Sequence, residues 1–262
     1  MRNRLNHLAT SMLVAAVAAS AAPAAAQNDF QWHGLVLSGQ TLEVRGINGE
    51  IRAVAGSPGS TEATVTATKT ARRSNPADVK VEVVQHAGGV LVCAVYPSAD
   101  GKPANTCDVS GGNNSVRDND VQVHFTVAVP PGVNFLAKTV NGDVDGEGMQ
   151  GDIEAHTVNG SIKLTTTGRG VANTVNGSIS VTMGRADWTE ADFKTVNGGI
   201  TLKLPATFGA DVSANTVNGD IRSDFPITTT RMDRRSIRGT IGGGGPRVTI
   251  STVNGSITLQ KS

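Results

Sequence analysis

Thr139-Val140-Asn141-Gly142-Asp143-Val144 returns as Thr157-Val158-Asn159-Gly160-Ser161-Ile162. The same four residues, followed by one variable position and an Ile, recur from Thr174, Thr195, Thr216 and Thr252. Looser copies are Gly46-Ile47-Asn48-Gly49-Glu50-Ile51 and Ser236-Ile237-Arg238-Gly239-Thr240-Ile241. The asparagines at 141, 159, 176, 197 and 218 are 18, 17, 21 and 21 residues apart. The copy at Arg238 divides the 36-residue gap between Asn218 and Asn254, so it reads as one more, degenerate repeat. A period in this range belongs to stacked architectures, in which one unit cannot bury its own apolar face and needs neighbours.

The chemistry of the repeat points to strands and corners. Asn-Gly readily takes positive φ at two successive positions, so it predicts a tight turn. Ahead of it, apolar residues alternate, as in Val212 and Ala214 or Val248 and Ile250. Behind it come Ile162 and Leu164, Ile179 and Val181, Ile200, Leu202 and Leu204, and Ile257 and Leu259. Period-two alternation on both sides is the pattern of strands with one face inside. The expected fold is therefore all-β, a β-solenoid of 17–21-residue coils. By strict parity the repeated Thr and Asn face inward and the repeated Val outward. The expected structural turns are at Asn48, Asn141, Asn159, Asn176, Asn197, Asn218 and Asn254, with their side chains stacked as an internal ladder. A surface adhesion motif is the functional reading of the same four residues, but turn chemistry already accounts for them.

Residues 27–135 are β-rich and less regular, with alternating runs at Leu42–Val44, Ala63–Ala67, Val79–Val83, Val90–Val95 and Val121–Val129. Pro130-Pro131-Gly132 marks a junction, giving an irregular N-terminal part over 27–135 and regular solenoid repeats over 136–262. Because Asn48 lies upstream of these runs, the first part is expected to begin the same stack and then make larger excursions.

The N-terminus carries an export signal. Arg2 and Arg4 precede an apolar run from Leu8 to Ala22, and Pro23 leads to a small-residue cleavage site at Ala24-Ala25-Ala26. That is the order of a secretory signal peptide over 1–26, and the run is too short to span a bilayer. No transmembrane segment is expected after it. Removing Arg2 and Arg4 from the 23 basic residues leaves 21 against 22 acidic ones. A mature chain so close to neutral makes no electrostatic claim on nucleic acid. Cys93 and Cys107 are the two cysteines, and in an oxidising compartment they are expected to form a disulfide. It would close a loop of about 15 residues, worth about 3 kcal/mol by chain entropy.

These residues, the Cys93 strand, Val129-Pro130-Pro131-Gly132-Val133 and the Thr-Val-Asn-Gly series together resemble the bacterial putative-adhesin family of β-strand-repeat envelope proteins, a domain of unknown function. The resemblance covers nearly all of the mature chain. It implies a β-solenoid fold and a place in the cell envelope: the periplasm, the outer-membrane surface or the medium. It offers no catalytic residue to carry over.

Gly146-Glu147-Gly148-Met149-Gln150-Gly151 matches a dinucleotide fingerprint, yet no helix follows to hold a pyrophosphate. Asn141, Asp143, Asp145, Glu147 and Asp152 loosely imitate a calcium loop without its helices, so no metal and no cofactor are assigned. His33, His86, His124 and His156 read as surface residues. A β-helix polysaccharide lyase or glycosidase is the enzymatic alternative. It would draw on Asp220 and Asp224, or on Asp187, Glu190 and Asp192 beside Trp188, but three per cent aromatics supply a sugar groove poorly. Arg231, Arg234, Arg235 and Arg238 form a basic cluster suited to an anion. The reading that results is a non-enzymatic exported scaffold or binding module. Its candidate partners are an anionic envelope glycan, lipopolysaccharide or another envelope protein.

Overall fold

The computed structural model describes residues 30–98, 101–111, 116–185 and 188–262, without the side chains of 230–232. The signal peptide expected over 1–26, and Asp187, lie outside the described residues, as does the side chain of Arg231.

The strands, in chain order, are β1 (Phe30–Leu35), β2 (Thr41–Arg45), β3 (Ile51–Ala55), β4 (Glu62–Thr70), β5 (Lys80–His86), β6 (Gly89–Val95) and β7 (Gln122–Val129). There follow β8 (Asn134–Lys138), β9 (Val144–Met149), β10 (Ile153–His156), β11 (Ile162–Thr166), β12 (Gly170–Asn173), β13 (Ile179–Met183) and β14 (Glu190–Lys194). The last are β15 (Ile200–Leu204), β16 (Ala210–Asn218), β17 (Ile221–Ser223), β18 (Ile227–Asp233), β19 (Ser236–Ile241), β20 (Arg247–Asn254) and β21 (Ile257–Lys261). They form two sheets. Sheet A runs β1-β4-β7-β3-β9-β11-β13-β15-β21-β17, and sheet B runs β18-β19-β16-β20-β14-β12-β10-β8-β2-β6-β5.

Each coil contributes one strand to sheet B, turns at Asn-Gly, and contributes the next strand to sheet A. Neighbouring coils pair in parallel: Ile162, Ile179, Ile200 and Ile257 align in one register column. The inward residues of both sheets meet in one core that runs from Leu42 and Val44 to Ile257 and Leu259 and takes in both Val129 and Val133. The fold is a β-solenoid of two-strand coils, as the alternation predicts.

The order of the coils departs from the chain order at both ends. In space the stack reads β6–β7, then β2–β3 (the Asn48 coil), then the Asn141, Asn159, Asn176 and Asn197 coils, then β20–β21 (Asn254), and last β16–β17 (Asn218). The final coil in sequence is thus inserted between Asn197 and Asn218. The copy at Arg238 is not a coil, contrary to the sequence reading. Ser236–Ile241 is β19, antiparallel to β16 with Arg238 opposite Ser213, and β18 pairs antiparallel outside it. Its apolar alternation is that of any half-buried strand, so parity alone cannot separate a coil from an antiparallel cap.

The corner also works differently from the expected turn. Among the repeat glycines, Gly49 alone has φ in the left-handed region; Gly142, Gly160, Gly177, Gly198, Gly219 and Gly255 do not. These six positions demand glycine because of stacking. A Cβ on Gly142, Gly160, Gly177, Gly198 or Gly255 would lie 2.0 Å from the carbonyl oxygen of the corner glycine one coil away. The repeated Thr is buried, and its hydroxyl donates to that same carbonyl: Thr157 to Gly142, Thr174 to Gly160, Thr195 to Gly177 and Thr252 to Gly198, each at 2.9 Å. A buried carbonyl left without a donor would be costly, which gives Thr its place.

The Asn ladder exists, but on the surface. Each Asn Nδ2 donates to the Oδ1 of the Asn one coil back, at 2.7 to 2.8 Å, from Asn141 on Asn48 through to Asn218 on Asn254. Asn141, Asn159, Asn176, Asn197, Asn218 and Asn254 are exposed, so the inward placement inferred from parity is corrected. The backbone bends between Thr and Gly, and Val and Asn both emerge to solvent there.

Candidate functional site

Cys93 and Cys107 are joined by a disulfide. The link holds the loop after Cys107 against the first coils, where Arg45 Nη1 donates to the Asp108 carbonyl at 2.7 Å. Arg45 Nε also reaches Glu43 at 2.6 Å, and Lys138 Nζ reaches it at 3.1 Å. Burial would raise the Glu43 carboxyl, but the hydrogen bonds from Arg45 and Lys138 outweigh it and hold the group below its usual range.

Two surfaces emerge from the repeat itself. Along the corner, Val140, Val158, Val175, Val196 and Val253 are 38 to 39% exposed and Val217 is 53% exposed. They form an apolar stripe beside the Asn ladder, at the ~4.8 Å spacing of stacked strands. Sheet B presents the second surface, its outer face. One part of it is acidic. Glu154, Glu190 and Asp192 gather there around Asn173 and Arg169, and the His156 Nε2 contact at 2.6 Å lowers the Glu154 carboxyl.

The end of that face at β19, β16 and β20 is basic and adjoins the acidic patch, with Arg247 opposite Glu190. Arg238 on β19 and Arg247 at the start of β20 line one groove of about 530 Å³ with Ser213, Thr240 and Thr249. Asp211 also lines it and accepts from the Thr240 hydroxyl at 3.0 Å. The fold splits the basic cluster expected from sequence. Arg234 and Arg235 sit at the β18–β19 tip, beside Asp220, Asp233 and Gly219, and Arg234 Nη2 is 3.7 Å from Asp220. Arg238 lies on the sheet face with Arg247, a residue the sequence reading passed over. Arg247 stands apart from the cluster in sequence, and the antiparallel return of β19 onto β16, itself paired with β20, brings the two together.

The remaining candidates have structural occupations. Asp143 accepts from the Ser161 N–H at 2.7 Å, and Asp152 from the Arg169 N–H at 2.9 Å. Among the described residues no three His, Cys, Asp or Glu groups are placed to share a metal. The Gly146–Gly151 run is the second half of strand β9 and the bend that follows it, and Gly148, at φ +69°, sits where the pairing with β11 shifts register. His124 Nδ1 is 3.7 Å from Glu50. Asp220 and Asp224 flank β17; Asp220 faces Arg234, and the Asp224 carboxylate accepts from the Lys261 N–H at 3.4 Å.

Asp120 closes the N-terminal end. Its carboxylate accepts the N–H groups of Arg72, Arg73 and Ser74, the last at 2.8 Å. These bonds, led by Ser74, bring its pKa down to about 2.

The family model described as Toastrack DUF4097 matches residues 38–260. No curated protein matches the chain. Among solved structures, the chain is similar to a putative cell adhesion protein from Clostridium sporogenes, at 9% identity and TM-score 0.39, over 89% of this chain and 99% of that one. It is also similar to a putative adhesin from Bacteroides fragilis, at 11% identity and TM-score 0.27, over 89% of this chain and 96% of that one.

Proposed function

The chain belongs to the Toastrack DUF4097 family, and on that premise we propose that it is a non-enzymatic binding module exported to the cell envelope. Its ligand in this reading is an anionic glycan or lipopolysaccharide held on the basic end of sheet B. The observation that carries the proposal is the groove itself. Guanidinium groups from two different strands, Arg238 and Arg247, line it with the hydroxyls of Ser213, Thr240 and Thr249. Guanidinium suits carboxylate and phosphate by bidentate geometry, and flanking hydroxyls suit sugar. Arg234 and Arg235 at the hairpin tip would extend the contact. Export rests on the Arg2, Arg4, Leu8–Ala22 and Ala24–Ala26 pattern, and a disulfide fits an oxidising compartment.

The test is binding of the purified mature chain to lipopolysaccharide vesicles and to polygalacturonate. The variant Arg238→Ala/Arg247→Ala should bind about tenfold or more weakly, and binding of the unmodified chain should fall with added salt. Unchanged binding in that variant would move the ligand off the groove. Release of reducing ends or unsaturated products from the polysaccharide would overturn the non-enzymatic reading. Fractionation of cells into cytoplasm, periplasm, outer membrane and medium checks export, and a cytoplasmic chain with an intact N-terminus would refute it.

A further inference from the structure

The two ends of the stack are closed unequally. At the N-terminal end, β5 lies antiparallel outside β6 on sheet B, and β4 and β1 lie outside β7 on sheet A. At the C-terminal end, β19 and β18 extend sheet B two strands beyond β16, but sheet A stops at the three-residue β17. A notch results. Gly219, Asp220, Asp233, Arg234 and Arg235 line a cavity of about 620 Å³ between this corner and the hairpin tip.

The repeat states what this notch lacks. The N–H groups of Gly49, Gly142, Gly160, Gly177, Gly198 and Gly255 each donate to the Asn carbonyl of the next coil, at 2.8 to 3.0 Å. The N–H groups of Val144, Ile162, Ile179, Ile200 and Ile257 likewise donate to the next coil, two residues further on. Gly219 and Ile221 are the same positions in the Asn218 coil, and among the described residues no coil follows. The side-chain ladder has the same polarity. Asn218 donates back to Asn254, so its Oδ1 is the acceptor end of the row.

We propose that this edge is a strand-addition site for an extended Asn-containing segment of another protein. The segment would pair parallel to β17, offer carbonyls to the Gly219 and Ile221 N–H groups, and place an Asn amide on Asn218 Oδ1. Strand addition draws affinity from main-chain bonds and specificity from side-chain positions; here the specifying position is the Asn. A second copy of this chain does not fit. Antiparallel pairing of two β17 edges places a two-fold axis normal to the sheet, and the β18–β19 overhang of each copy would then occupy the other's coils. A lone strand fits into the notch beside that overhang.

The probe is a labelled peptide with the sequence of residues 174–183, tested against the full mature chain by fluorescence anisotropy, together with the same peptide carrying Asn176→Ala. The chain variants are Asn218→Ala, whose side chain is exposed, and Ile221→Pro, which removes an edge N–H that faces no strand. The peptide should bind with one-to-one stoichiometry, and the Ala peptide about tenfold more weakly. Asn218→Ala should weaken the Asn peptide by a similar factor and leave the Ala peptide unchanged, while Ile221→Pro should abolish both. Equal binding of the two peptides would overturn the proposal, as would no saturable binding into the millimolar range. Concentration-dependent dimerisation of the unmodified chain that Asn218→Ala removes, measured by sedimentation, would assign the edge to a second copy instead.

Discussion

The interior coils and the end coils of this molecule are held by different rules. Between Asn141 and Asn197, sequence order and spatial order agree, and one four-residue corner does four separate things. Thr hydrogen-bonds a buried glycine carbonyl, Val stands in solvent, Asn joins the surface ladder, and Gly admits the neighbouring backbone. At the ends the order is exchanged. The β6–β7 coil lies outside the Asn48 coil, and the Asn254 coil lies inside the Asn218 coil. Antiparallel strands do the capping there, and one of them, β19, carries the looser copy of the repeat at Arg238. A repeat whose two faces are complementary to each other specifies that coils stack, and leaves open which coil stacks on which.

The sharpest way to break the contrast is at the glycines. Gly160→Ala would put a Cβ 2.0 Å from the Gly142 carbonyl, with backbone rather than a mobile side chain in the way. It should cost about 3 kcal/mol or more in denaturant unfolding. Gly243→Ala, in the turn before β20, meets nothing within 4 Å and should change stability by less than about 0.5 kcal/mol. Similar losses at both sites would mean that the interior is not tighter than the ends.

Smaller effects separate the two regions within the ladder. Asn176 both donates and accepts, whereas Asn218 donates alone. Because the ladder is exposed, Asn176→Ala should cost about 1 kcal/mol and Asn218→Ala about half of that. Equal costs would show that the bonds between coils do not set the difference.

The smallest effect belongs to the N-terminal end and depends on pH. Asp120 titrates near 2 in the folded chain, against an ordinary 3.8. A lowered carboxylate stabilises the fold above its unfolded pKa, and that contribution disappears as the pH falls from about 4 towards 2. Asp120→Asn should therefore lower the melting temperature slightly at pH 7 and narrow its gap from the unmodified chain at pH 2. A gap that is constant between the two pH values would show that the carboxylate charge is not what holds residues 72–74.

Much of the fold was legible because its signals are local. Alternation placed the inward Ile and Leu residues, and two cysteines alone behind a secretory-type N-terminal pattern suggested their bridge. The errors share one cause. Asn-Gly suits a positive-φ turn, but here glycine answers to a carbonyl in another coil. Ser236–Ile241 has the alternation of a coil, and an antiparallel cap has the same. Arg247 stands apart from the charge cluster along the chain, whereas the groove is assembled across β19, β16 and β20.

By itself the sequence determined that the chain is built of stacked two-strand coils, since a repeated apolar parity can be buried only by neighbours of the same kind. Tertiary structure alone decided the order of the coils, the unequal closure of the two ends and the meeting of Arg238 with Arg247. The identical corners accept one another in any order, so the choice fell to long-range strand pairings that no local pattern encodes.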